Sequence, residues 1–251
     1  LTPPREHLDY SLVETLKDLC RYAEIGIVSG SDYDYIMQQC GFLTTQDEIK
    51  LRLHILPCNG TKHCAPPSYK TASHKLVYKK NMRKEIGDGD FQTIMKKLID
   101  YQNHIVSHYD IPLSGHFVSY RDSMINWCPV GRNALNHDRE KFSNFDKSFG
   151  TSTFRRTVLE QLREEFANAR IPVAIKLGGE TSFDIYPNGW NKTFALQHFP
   201  DHEIYFLGDR CGDNGNDKEI FDALQPHKSF WVDSPVHTKE ILEQIIIPRI
   251  K

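Results

Sequence analysis

Residues 203–221, EIYFLGDRCGDNGNDKEIF, bring carboxylates to the end of an apolar run. Ile204, Tyr205, Phe206 and Leu207 break at Gly208, and Asp209, Asp213 and Asp217 follow. A buried strand that ends on glycine with acids at its tip suits a divalent cation, which takes hard oxygen ligands. Asp209, with Asn216 and Asp217 behind it, is therefore the expected Mg²⁺ site. A second tip, Ser29-Gly30-Ser31-Asp32, offers small hydroxyls and exposed amides to a phosphate. Lys192 opens a predicted helix and is placed to neutralise a phosphoryl group. Each feature alone is weak, since an aspartate at a strand end is more often a helix cap. The three together, in this chain order, point to phosphoryl chemistry.

A second constellation lies mid-chain. Arg121 and Arg132 leave a hairpin and its following turn, and Arg139 sits seven residues on. Guanidinium forks bind phosphate oxygens in bidentate fashion. Ser182 and Asp184 share one face of a strand, a hydroxyl beside a carboxylate, which suits sugar hydroxyls. Two further clusters invite chemistry that their spacing does not support. His54, Cys58, His63, Cys64 and His74 crowd together but match no usual zinc module. Asp32-Tyr33-Asp34 resembles a nucleophile pair, yet Ile36 stands where that chemistry wants a small hydroxyl.

These residues need elements to hold them. The opening alternates helix (9–23), strand (24–32), helix from 32 to Gly41, and strand (51–60), the pattern of a parallel sheet flanked by helices. Ser11-Leu12-Val13-Glu14 has capping-box form. After residue 80 the pattern changes. Asp90 is expected to cap a helix carrying Phe91, Ile94, Met95, Leu98, Ile99, Ile105 and Val106. A tight hairpin (115–130), a helix over 151–168 carrying Phe154, Val158, Leu159, Leu162 and Phe166, and two more strands imply an antiparallel α+β module. Alternation resumes after Pro187. The expected architecture is α/β: a core of 1–79 and 187–251, interrupted by an inserted α+β cap at 80–186.

The chain is 251 residues long with a net charge of −2, 39% hydrophobic and 25% charged residues. That is an ordinary globular composition with ample material for a core. The near-neutral balance argues against a general nucleic-acid or membrane-surface binder, and no apolar run approaches a membrane span. Six scattered cysteines without C-x-x-C fit reduced thiols in a cytoplasmic protein.

"GDRCGDNGND" and "GWNKT" resemble the fourth and lysine motifs of the haloacid dehalogenase superfamily. "YRDSMINWCPVGRN", "GGETSFDIYPNGWNKT" and the opening "LTPPR" narrow the resemblance to the eukaryotic-type phosphomannomutases. It covers most of the chain and is weakest over 43–90. It implies a Rossmann-like core with an inserted cap, Mg²⁺, and an aspartyl nucleophile that passes a phosphoryl group through a hexose 1,6-bisphosphate. It implies Asp209 as metal ligand supported by Asn216 and Asp217, Lys192 as charge balance, and Ser29 or Ser31 in the second-motif phosphate role. Arg121, Arg132, Arg139, Ser182 and Asp184 fall on sugar-phosphate contacts of the cap and Arg5 on a core-side arginine, and the resemblance alone implies a homodimer through the cap.

Two departures stand out. Gly208-Asp209-Arg210-Cys211 replaces the family's Gly-Asp-Lys-Thr. The family's Asp-x-Asp-Gly-Thr would fall directly before Leu1-Thr2, so the chain reads as a fragment that holds neither nucleophile nor general acid. A phosphomannomutase is the leading expectation. A capped sugar-phosphate phosphatase and a non-catalytic sugar-phosphate binding protein are the alternatives.

Overall fold

The computed structural model describes Thr2, residues 6–213 and residues 215–251. Arg5, expected near the substrate, lies outside the described residues. In chain order the strands are β1 Ile25–Val28, β2 Leu53–Leu56, β3 Lys62–Ala65, β4 Lys75–Lys79, β5 Val118–Tyr120, β6 Ile125–Trp127, β7 Val173–Gly178, β8 Ser182–Pro187, β9 Phe206–Gly208 and β10 Ser229–Trp231. The α-helices are α1 Val13–Leu19, α2 Tyr33–Cys40, α3 Asp47–Lys50, α4 Met82–His108, α5 Asn136–Lys147, α6 Phe154–Asn168, α7 Lys218–Ala223, α8 Pro235–Ile241 and α9 Ile247–Ile250. The chain divides into two compact units, residues 1–79 with 190–251, and residues 80–189.

In the first unit β1 pairs parallel with β2, and β9 parallel with β10. β3 and β4 extend the first of these sheets antiparallel, so it is mixed rather than purely parallel. The two sheets share a core. Leu12, Leu16 and Leu19 of α1 and the turn before it, Ile25, Ile36, Leu53, Ile55, Leu242 and Ile246 cluster, and Tyr205, Leu207 and Phe230 pack on them from the second sheet and the residue before it. Burying such side chains contributes roughly 1.5–3 kcal/mol each. The first helix starts differently from expectation. Asp9, not Ser11, is the cap, because the chain enters through one 3-10 turn, Tyr10–Leu12, and the Asp9 carboxylate accepts the Ser11 N–H.

In the second unit β5-β6-β8-β7 is an antiparallel sheet. Strict alternation sends Ile125, Trp127, Phe183, Ile185 and Ile175 to one buried face, where Trp127 stacks on Phe183 with centroids 4.9 Å apart. α6 packs on β7 and α4 on β8. On α6 the buried positions are Phe154, Val158, Leu159, Leu162 and Phe166, the stripe that the sequence spacing predicts. α4 starts earlier than expected, at Met82. Asn81 caps it by accepting the Lys84 N–H, and the helix breaks at Gly87, whose φ is 83°. Asp90 therefore lies inside α4 and is not its cap. The unit keeps Asn188, whose N–H donates to Pro172 O beside the start of β7.

Candidate functional site

In the first unit the loops leaving β1 and β2 are stitched together. The carbonyls of Ser29 and Ser31 accept the N–H groups of Asn59 (2.7 Å) and Cys58 (2.8 Å). Ser29 Oγ accepts the Ser31 N–H at 3.1 Å, so both serines sit in one compact turn, half-buried. Asp32 is a helix cap, accepting the Tyr35 N–H, and not part of a nucleophile pair. The loop after β2 then reaches Lys192. Asn59 donates to Trp190 O at 3.1 Å, and Gly60 lies flat against Ala195 of the 3-10 helix Lys192–His198. Gly60 adopts φ 85°, and a Cβ there would meet Ala195 Cα at 2.6 Å. His198 adds a contact to Gly60 O at 2.7 Å.

Lys192 is buried and its ammonium donates to Asp217 Oδ1 at 2.5 Å. The other Asp217 oxygen accepts the Arg210 N–H at 3.1 Å. Burial pushes this carboxyl up, but the Lys192 charge and these hydrogen bonds outweigh it and hold the carboxyl below its usual range. Asp217 is thus committed to ordering the loop. Asp209 is different: its side chain is 64% exposed, and Arg210 Nε lies 3.8 Å from it. Asn216 Oδ1 is buried with no hydrogen-bond partner among the described residues. An orphaned oxygen beside a carboxylate-rich loop, whose one thiol, Cys211, donates to Gly208 O at 3.4 Å, is a donor set for a hard cation such as Mg²⁺. Among the described residues no group of three histidines, cysteines or carboxylates could hold a metal, so such a site would lean on Asn216 and on water. Cys211 is buried, pushed up to about 12 by burial and by the Asp217 and Asp209 charges, and is inert as a nucleophile.

In the second unit register builds a polar row opposite the apolar face. Asn126 of β6 pairs with Asp184 of β8, which pairs with Lys176 of β7. Asn126 is buried, donates to Asp184 Oδ1 (2.7 Å) and Ser182 Oγ (3.0 Å), and accepts from an Arg132 guanidinium nitrogen at 3.0 Å. Ser182 in turn donates to Gly178 O at 2.6 Å. Gly178 is opposite Ser182 in register, and a Cβ there would strike the Asp184 carboxylate at 2.8 Å. Arg139 donates to Thr181 Oγ1 at 2.7 Å. Arg121 is buried in the β5–β6 turn, where Asp122 adopts φ 64°. The turn carrying Thr181 is braced from behind: Arg155 pairs with buried Asp146 at 3.0 Å and donates to Gly179 O at 3.2 Å.

Thus Arg132, Ser182 and Asp184 meet through Asn126, and Arg139 joins them through Thr181. Sequence reading missed Asn126, Thr181 and Lys176. A polar residue between buried Ile125 and Trp127 on a strand was the signal for Asn126.

A family model for eukaryotic phosphomannomutase matches residues 12–248. Phosphomannomutase 1 of Dictyostelium discoideum is 34% identical over 249 residues, covering 98% of this chain and 92% of its own length. Phosphomannomutase of Arabidopsis thaliana is 32% identical, covering 89% of this chain and 83% of its own. Among solved structures, N-terminally truncated, IMP-bound IMP-nucleotidase of Plasmodium falciparum aligns with TM-score 0.65 at 14% identity. It covers 98% of this chain, which spans only 65% of that one. A trehalose-6-phosphate phosphatase related protein aligns at TM-score 0.52 and 15% identity, over 98% of this chain and 90% of its own. At such identities these structures speak for the α/β fold alone. The chain belongs to the eukaryotic phosphomannomutase family.

Proposed function

We propose that the protein is a Mg²⁺-dependent phosphomannomutase interconverting mannose 6-phosphate and mannose 1-phosphate through an aspartyl phosphate and a hexose 1,6-bisphosphate. Family membership supports the activity, and the observation that carries it to residues is the polar row of the second unit. Arg132 and Arg139 stand beside Ser182 and Asp184 there, joined through Asn126 and Thr181. Guanidinium forks take phosphate oxygens and the hydroxyl–carboxylate pair takes sugar hydroxyls. A mutase must grip a second phosphate while the first reacts, and a simple phosphatase need not.

In the first unit, Asp209 and Asn216 would hold the cation, with Asp217 fixing the loop behind them. Bound there, Mg²⁺ supplies positive charge to a transferring phosphoryl group. Lys192 has three donors and gives one to Asp217, leaving two for phosphoryl oxygens. Ser29 or Ser31 supplies a hydroxyl to the same group. Nucleophile and general acid are assigned to none of these 251 residues. A cytoplasmic setting is supported by six cysteines, all buried and none in a disulfide. No helix among the described residues is long and apolar enough to cross a membrane. A homodimer through the second unit is supported by exposed Ile99 and Val106 on α4 and by Leu113 beyond it.

The test is product analysis by phosphorus NMR. The full product of the gene is given mannose 1-phosphate, a hexose 1,6-bisphosphate and Mg²⁺. Mannose 6-phosphate appearing with no build-up of free phosphate is the expected result. Phosphate released in proportion to turnover supports the phosphatase reading, and binding without turnover supports the non-catalytic one.

A further inference from the structure

Asn126 is the hub of the second unit's polar face, yet it carries no charge. It is 2% exposed and is the middle residue of a three-residue strand. Ile125 and Trp127 on either side face the apolar core, so the backbone leaves its side chain one direction. The carboxamide's orientation is dictated by its partners: a guanidinium only donates and a carboxylate only accepts, so oxygen must face Arg132 and nitrogen must face Asp184.

From this geometry we infer that Asn126 is a positioning residue that seats Arg132 and Asp184 at opposite ends of one neutral amide. The inference rests on the sugar-phosphate reading above. Opposite charges within reach of one amide are drawn to close on each other as a bidentate pair, which would turn both inward. The amide takes one edge of each while remaining neutral. A guanidinium has further N–H donors to offer a phosphate, and a carboxylate has further lone pairs to offer a sugar hydroxyl. The second hydrogen of the amide fixes Ser182 Oγ in the same row.

The decisive variant is Asn126→Asp, which keeps the shape and exchanges the amide's two N–H donors for a titratable oxygen. The groups facing it are Asp184 on β8 with Lys176 beyond it on β7, Ser119 opposite on β5, and Arg132, whose N–H donates to His116 O. Arg139 stands one residue from Ser182, on Thr181. Two carboxylates across a register pair share a proton up to a higher pH than either alone, with Arg132 and Lys176 opposing the rise. With that proton bound, the introduced carboxyl offers a carbonyl to Arg132 and an O–H to Asp184, and only the hydrogen that reached Ser182 is lost. Without it, two negative charges confront each other beside the ligand.

Mannose 1-phosphate is titrated calorimetrically into the 251-residue chain and into the variant, and the affinity ratio is taken at each pH so that titration of the phosphate cancels. The expected ratio is within about threefold near pH 5 and widens to roughly 10- to 100-fold weaker binding near pH 8, the size of a lost charged hydrogen bond. Asn126→Leu should bind weakly at every pH, and thermal unfolding run alongside confirms that each variant is folded. If Asn126→Leu does not fold, the aspartate variant decides alone. A ratio that is flat with pH, or wild-type affinity in Asn126→Asp throughout, overturns the inference. If the unaltered chain binds no mannose 1-phosphate, the sugar-phosphate reading itself fails and takes this inference with it.

Discussion

At the scale of single residues, Asp217 is held by charge. Its carboxylate is nearly inaccessible and has Lys192 as its ionic partner. Lys192→Met should therefore destabilise the protein by roughly 3–5 kcal/mol, because it strands a buried charge. The pH dependence gives a sharper signature. In the native protein Asp217 has a lowered pKa, so its contribution is present above the unfolded value and lost as pH falls through the folded one. In Lys192→Met the largest lowering influence is gone and burial is opposed only by the remaining hydrogen bonds, so that pKa rises relative to the native protein and the variant's deficit should narrow as pH falls towards the carboxylate range. Denaturant unfolding at several pH values checks this. A variant whose deficit is constant with pH would contradict the assignment. Asp217 stood out in the sequence as part of an acidic loop, and Lys192 as the opening of a helix. Their pairing was not legible, since it joins positions 25 apart across two loops.

Elements carry the next level. The loop after β2 reaches the Lys192 helix only because Gly60 lets the backbones touch. Gly60→Ala puts a methyl group into Ala195 at a φ that disfavours side chains, and should cost roughly 1–3 kcal/mol. Lys192 should shift with it, so Mg²⁺-dependent activity of the full gene product should fall beyond what the stability loss explains. Chemical denaturation and the mutase assay together check this.

The histidines of β2 and β3 supply a second prediction at this scale. His54 Nδ1 lies 2.8 Å from His63 Nε2, and His63 packs on His198 with ring centroids 4.6 Å apart. Burial first, then the His198 and His54 charges, lower the His63 pKa to about 4. The unfolded chain binds this proton at higher pH, so stability should rise with pH between about 4 and 6.5, by up to roughly 3 kcal/mol. His63→Gln should flatten that slope, as read from midpoints of denaturant unfolding, and an unchanged slope would put the proton elsewhere. The cluster that suggested zinc by composition thus reads as a hydrogen-bonded pair in a sheet. His74 instead caps off Leu53 O. Periodicity revealed α6 and β8 because each has one apolar face. It could not reveal β4, whose Leu76 and Val77 are both exposed, nor the break of α4 at Gly87, which one glycine imposes without changing the pattern.

For the molecule as a whole, the change from alternating to antiparallel patterning marked the inserted unit, because two sheets with different connectivity leave different signatures in the chain. Its surface yields a prediction. If Ile99 is covered by a second copy, Ile99→Asp should convert a dimer to a monomer in sedimentation velocity at unchanged folding. A native protein that sediments as a monomer would remove the dimer. The central claim concerns the polar face of the second unit, and binding tests it most directly. Mannose 1-phosphate and unphosphorylated mannose are titrated into the 251-residue chain and into Arg132→Lys. The account predicts that only the phosphorylated sugar binds tightly, and that the lysine variant binds it about tenfold or more weakly, because an ammonium cannot reproduce a guanidinium fork. Equal affinity of the two proteins, or no preference for the phosphate, would contradict it.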